Sequence, residues 1–162
     1  MMKDEELVKL MADCVELAND DDIKILKDML TGMKQKLENK RGTYIEPLLQ
    51  MKRQINSDTY ELTVPVTPLI NNNLDIVHGG VTATIIDTAM GMMAVNSLPE
   101  GYAAVTTQLN IHYLAPGIGN ELTCKAHFVH KGTKTMVLES DVFRDDGKKI
   151  AHATGSFFVI KK

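Results

Sequence analysis

The sequence predicts an α+β fold, in which a helical leader precedes an antiparallel sheet wrapped around one long central helix. Three observations predict it. Apolar residues in the first 40 positions recur at helical spacing. One later segment, 80–95, is apolar or small on almost every side. From about residue 102 onward the chain reads as four consecutive strands separated by turn signals. Strands joined by short turns pair antiparallel, and a lone apolar helix beside such a sheet has to bury itself against it.

The leader comes first. Leu7, Leu10, Met11, Cys14, Val15 and Ala18 lie at helical spacing over residues 4–18. The polar run 18–22 interrupts them with capping residue types. A second stripe follows at Ile23, Leu26, Met29, Leu30, Met33 and Leu37, with Gly42 as its stop. Each stripe reads as a cover for a sheet or for a partner chain. The first 40 residues hold seven Lys against ten Asp plus Glu, which does not suit a nucleic-acid-binding head.

After a polar turn at 56–58 the period changes. Residues 59–66 (TYELTVPV) alternate in polarity and read as a strand, with Pro65 at an edge or end. Residues 68–76 read as loop. The helix 80–95 ends at the turn signals of 97–101. Strands follow at 102–114, 120–130, 134–144 and 149–160, separated by APGIGN, HKGT and RDDGKK. The helix has little polar asymmetry, so burial on most sides is expected, by a curved sheet and a partner subunit together. The chain divides into an N-terminal helical extension, 1–50, and a sheet-and-helix domain, 51–162.

Composition narrows the class. The 162 residues are enough for one sizeable core. Lys plus Arg number 18 and Asp plus Glu 21, a formal charge of −3, so attraction to nucleic acid or to an anionic membrane is not expected. Cys14 and Cys124 form no CxxC pair, which leaves neither a disulfide framework nor a zinc ribbon. No run approaches the roughly 20 apolar residues of a membrane span. The charged start, MMKDEELVKL, is unlike a signal peptide. A cytoplasmic protein is expected.

One residue stands against its surroundings. Asp87 is the single full charge between Ile76 and Val95, and the nearest cations in the sequence are Arg53 and Lys125. A buried carboxylate is costly unless it is paired or opens to a polar cavity. Asp87 is therefore either a hydrogen-bonded core residue or a general base or nucleophile facing a substrate. Gly79 and Gly80 stand at the helix start, where free N–H groups and the helix dipole favour developing negative charge. A tight turn is the plainer reading of two glycines, and His78 beside them suits a loop-holding role.

The stretch NNLDIVHGGVTATIIDTAMG, followed by VTTQLNIHYLAPG, resembles the hotdog-fold acyl-CoA thioesterases of the phenylacetic-acid-pathway (PaaI-like) type, over about residues 58–160. The resemblance implies a hotdog fold and hydrolysis of an acyl- or aryl-acyl-CoA thioester to free acid and coenzyme A, with no cofactor and no metal. It implies that Asp87 attacks the thioester or activates water, and that the Gly79 amide polarises the thioester carbonyl. Asn72 would contact the reacting region and His78 would order the loop. Thr106 falls where some members carry a water-positioning Ser. Gly80, the segment Tyr113, Leu114 and Ala115, and the segment His130, Lys131, Gly132, Thr133, Lys134 and Thr135 would meet substrate. Asp75 stands where relatives usually carry Gly. The family forms homodimers, which often pair into homotetramers.

Geometry adds a constraint of its own. Asp87 follows Gly79 by eight residues, about 12 Å along a helix. Groups that far apart on one helix are poorly placed to serve one carbonyl, which needs donors near ~3 Å. Two antiparallel copies of the helix would bring Asp87 of one chain to the partner's Gly79, so a homodimer with shared active sites is expected. Met90, Met92 and Met93 suggest an adaptable acyl pocket. His127 and His130, three apart on a strand, are expected on opposite faces and make a poor metal pair. No Gly-x-Ser-x-Gly elbow or phosphate-binding loop occurs. Two other functions fit the same fold. One is an acyl-CoA-binding regulator without turnover, whose usual basic head is missing here. The other is a hydratase or dehydratase, which would need His78 as its acid–base group.

Overall fold

The computed structural model describes residues 4–39, 42–56 and 58–162. Two compact units divide the chain, Met1–Gln50 and Met51–Lys162. No helix among the described residues is long and apolar enough to cross a membrane.

The first unit holds α1 (Glu5–Leu17), α2 (Asp20–Glu38) and the short α3 (Ile45–Leu48). Asp4 caps α1 by accepting from the Leu7 N–H, and Asn19 with Asp22 closes a capping box on α2. Asp20, Asp21 and Asp22 then meet the positive end of the α2 dipole. Helix α2 ends at Glu38, ahead of the expected stop; Gly42 instead takes φ +85° in the turn before α3. Gly32 is buried where the Pro47 carbonyl comes in, a place with no room for a Cβ. The sequence did not announce α3, because four residues that include a proline carry no periodic signal.

The second unit contains β1 (Lys52–Ile55), β2 (Tyr60–Pro65), a 3₁₀ turn (Pro68–Ile70), α4 (Gly79–Asn96), β3 (Tyr102–Tyr113), β4 (Glu121–Lys131), β5 (Thr135–Arg144) and β6 (Lys149–Lys161). The strands form one antiparallel sheet in the order β1-β2-β4-β5-β6-β3. Strand β1 was not expected: Lys52–Ile55 is exposed throughout and shows no alternation, and only its ladder with β2 makes it a strand. Ser57, central in the expected turn at 56–58, lies outside the described residues.

Helix α4 crosses the sheet and touches every strand from β2 to β6. Ile85, Ile86, Ala89 and Met90 of the helix are buried together with Leu62, Val64, Leu122, Leu138 and Phe157 of the sheet it packs on, and these form the core. Gly155 makes the fit possible, since a Cβ there would come within 3.0 Å of Met90 Cε. The expected burial on most sides rests on the sheet and a partner subunit together, and within one chain the sheet supplies one side of it. Thr82, Ile85, Ile86, Ala89, Met90 and Ala94 are buried, while Ala83, Thr84, Asp87 and Gly91 form a half-exposed stripe. A single sheet covers one side of a helix, and small residues on the other side made the segment look uniformly apolar.

The opposite face of the sheet is polar. Glu61, Lys125, Asp141, His152 and His112 align in register across five strands. Lys125 reaches Glu61 at 3.2 Å, and Asp141 holds Lys149 at 2.8 Å and His152 Nδ1 at 2.9 Å. Partial burial alone would raise the Asp141 carboxyl, but the bonds from Lys149 and His152 outweigh it and hold it below the usual range. His127 and His130 share this face, contrary to expectation. The ladder slips at Val129, pairing Phe128 with Leu138 and His130 with Val137, and the extra residue restores the parity of the two histidines. Among the described residues no group of three or more His, Cys, Asp or Glu is placed to hold a metal ion.

Candidate active site

The start of α4 is built by the loop before it. The Asn72 carboxamide oxygen accepts from the Leu74 N–H at 2.9 Å, and the Asn72 N–H donates to the Ile76 carbonyl. Asp75 takes φ +55°, a left-handed conformation that Gly adopts freely and Asp tolerates better than most side chains. The loop thus keeps its turn with Asp where relatives of the resembled type carry Gly. His78 is the N-cap: its Nδ1 accepts from the Gly80 N–H at 3.0 Å, which places the proton of the neutral ring on Nε2.

The N–H groups of Val81 and Thr82 turn back to the His78 carbonyl. Among the described residues the Gly79 N–H donates to none. The Tyr113 hydroxyl donates to the Gly79 carbonyl at 2.8 Å. A Cβ on Gly79 would meet the Tyr113 ring at 3.4 Å, an ordinary contact, so packing inside the chain does not require glycine there. Close approach by a ligand would.

Two turns further along α4, the Thr106 hydroxyl donates to Asp87 Oδ1 at 2.7 Å. A bulge aims that hydroxyl. Thr106 pairs with Phe157 and Gln108 with Ser156, so Thr107 is the extra residue and Thr106 falls on the helix side. None of the ion pairs among the described residues includes Asp87. The carboxylate is not buried: it lies half-exposed on the stripe of small residues Ala83, Thr84 and Gly91. Cys124 offers no rival nucleophile, because burial pushes its thiol up to about 12.

The expected site residues fall into groups. Asp87 and Thr106 meet, and His78, Gly79, Gly80 and Tyr113 cluster at the start of α4. No hydrogen bond among the described residues ties Asn72 to Asp87 or Gly79. The two remaining segments lie at opposite ends of the sheet. Tyr113 pairs with Ala151 and Thr135 with Phe158, seven residues apart on β6, or about 23 Å. Leu114 and Ala115 both donate through their N–H groups to the Ile150 carbonyl. In the β4–β5 turn the Gly132 N–H donates to the Thr135 carbonyl, the Lys134 carbonyl accepts from Val159, and Lys131 lies over the Phe128 ring.

Near the C-terminal end of α4 is a cavity of about 520 Å³, lined in part by Tyr60, Met93, Asn96, Ser97, Phe128 and Lys131. Its walls come from separate elements, so no local sequence signal announced it beyond the methionine cluster.

Residues 74–151 match the family model described as the thioesterase superfamily. BH2602 from Bacillus halodurans, solved with CoA, is 41% identical; the match covers 94% of this chain and 99% of that one, with a TM-score of 0.87. The chain therefore belongs to the thioesterase superfamily, and its sheet and central helix are the hotdog fold. A medium/long-chain acyl-CoA thioesterase of Salmonella typhimurium, YigI, is 30% identical over 97 residues, 52% of this chain and 63% of that protein. The chain thus spans less than two thirds of that relative's length. The PaaI protein of E. coli shares the fold at 22% identity, with a TM-score of 0.68 over 82% of this chain and 96% of that one.

Proposed function

We propose that this protein is a cytoplasmic acyl-CoA thioesterase of the PaaI-like type. Its active sites would form where two antiparallel copies of α4 meet in a homodimer. One observation carries the reading: a carboxylate oriented by Thr106 lies on the open stripe of α4, and the Gly79 N–H, which finds no acceptor among the described residues, lies at the start of the same helix. The two are about 12 Å apart in one chain, and an antiparallel pair of helices closes that gap twice.

In this arrangement Asp87 either attacks the thioester carbonyl carbon, expelling the coenzyme A thiolate and leaving a mixed anhydride that water then opens, or takes the proton from a water that attacks the carbonyl directly. The partner's Gly79 N–H receives the developing oxyanion, with the helix dipole behind it. Coenzyme A leaves as its thiol and the acyl group as the free acid. Thr106 keeps the carboxylate aimed.

Edge strand β3 supports the same dimer. Pairing β3 antiparallel with its copy brings Tyr113–Ala115 of one chain toward the partner's His130–Thr135, the two segments expected to meet coenzyme A. The cavity beside Met93 lies six residues past Asp87, about 9 Å along α4, a suitable depth for an acyl group. The name of the YigI relative and the CoA solved with BH2602 support this class of substrate.

The test is thiol release from a panel of short, long and aromatic acyl-CoAs. The reading expects at least one class to be hydrolysed with kcat/KM of about 10⁴ M⁻¹s⁻¹ or more. Tight acyl-CoA binding with no thiol release across the panel would sink it.

A further inference from the structure

Helix α2 carries an apolar seam that its own unit leaves open in its second half and only half-covers in its first. Ile23, Leu26, Leu30, Met33 and Leu37 follow the alternating three-and-four spacing of a heptad core. Packing within the unit uses the other side of the helix. The Pro47 carbonyl closes on Gly32, and the Asp28 carbonyl accepts from the Gln50 side chain at 3.1 Å. Along the seam Leu30 is 48%, Met33 38% and Leu37 63% exposed, while Ile23 and Leu26 are half-buried. The seam of α1, at Leu7, Leu10, Cys14 and Leu17, would continue at Asp21 and Lys24, whereas that of α2 restarts at Ile23. The two helices therefore do not share one continuous stripe.

We propose that the α2 seam is an interface for the α2 of a second copy of this chain, running antiparallel. The charges beside the seam choose both partner and direction. Setting Leu26 against the partner's Leu30 also sets Ile23 against the partner's Met33, and the two-fold axis repeats both contacts. Asp20 then flanks the partner's Lys34, and Asp22 the partner's Lys36, each twice. Met29 meets its own copy near the axis, and Lys27 facing its copy is the one like-charge contact.

Parallel pairing offers only Asp22 with the partner's Lys27. Lys36 is already engaged by the Gly42 carbonyl and the Tyr44 ring, so the Asp20–Lys34 pair decides the direction. In its own chain Lys34 reaches Glu38 at 3.7 Å, an exposed pair one helical turn away.

The test uses the full chain carrying Cys14→Ser; Cys124 is buried. Leu26→Cys and Leu30→Cys chains with different tags are expressed separately and together, then mildly oxidised. The antiparallel seam expects a disulfide in the mixed pair and none in either variant alone. Disulfides in each variant alone would mean parallel pairing and overturn the proposal. Folded chains with no disulfide in any sample would mean that something other than a second α2 covers the seam, which also overturns it. Lys34→Glu should lower the mixed cross-link roughly fivefold or more, because two attractive pairs become repulsive. Adding Asp20→Lys should restore it, since Asn19 and Asp22 of the capping box are untouched. A yield unmoved by Lys34→Glu would refute the register.

Discussion

Replacing Asp87 by Asn separates the chemistry from the fold. The carboxylate is half-exposed, joins no ion pair among the described residues and accepts one hydrogen bond, from Thr106 at 2.7 Å. An amide keeps the volume, and its oxygen can still accept from Thr106. The stability cost is the difference between a charged and a neutral acceptor, at most about 1 kcal/mol, and solvent screening reduces it further. For a domain of this size that moves Tm by no more than ~3–6 °C. Activity should fall far more, because an amide is neither base nor nucleophile; the loss of such a group costs about 10² or more in kcat. Thiol release at saturating acyl-CoA, a thermal melt and a coenzyme A titration on one preparation read all three quantities. A kcat within about fivefold of the parent would refute the assignment. A variant that fails to fold would show that the carboxylate is structural.

Three further outcomes are expected. Asp87→Asn chains mixed with Gly79→Pro chains should regain one working site per heterodimer: proline suits the first helical position but has no N–H to offer. No recovery in proven heterodimers would rule out shared sites. Thr106→Val should destabilise the fold by no more than about 1–2 kcal/mol, the worth of one solvent-screened hydrogen bond to a charged group. It should lower kcat roughly tenfold or more, the scale of one hydrogen bond to a charged group; an unchanged kcat would remove Thr106 from the mechanism. Asp141 is depressed in the folded state, so its contribution is complete above the ordinary carboxylate pKa near ~3.9 and is lost as pH falls through the lower folded value. Acid unfolding should therefore steepen below about pH 4, and Asp141→Asn should flatten that limb while lowering stability at pH 7. Parallel acid-unfolding curves for the two proteins would refute this.

Most of the elements are legible in local sequence signals, α3 and β1 excepted. Leu62 and Val64 of β2 alternate with polar residues, and the strands after Tyr102 are separated by turns rich in glycine. Such local signals survive without tertiary context. Asp87 and the glycines before it were conspicuous for the same reason, a charge or a missing side chain out of keeping with its neighbours. Strand β1 was illegible, because a fully exposed edge strand has no polarity pattern and exists only through its ladder. The face presented by Thr106 was equally hidden: it depends on one bulged residue, and Thr107 beside it is chemically the same. The shared face of His127 and His130 turned on a second bulge. Bulge positions are set by how two strands meet, which no single segment encodes. Hydropathy could not distinguish a helix buried all round from one with an open stripe of Ala, Thr and Gly. Only packing against the sheet decided which side of α4 closed and left Asp87 on the side that stayed open.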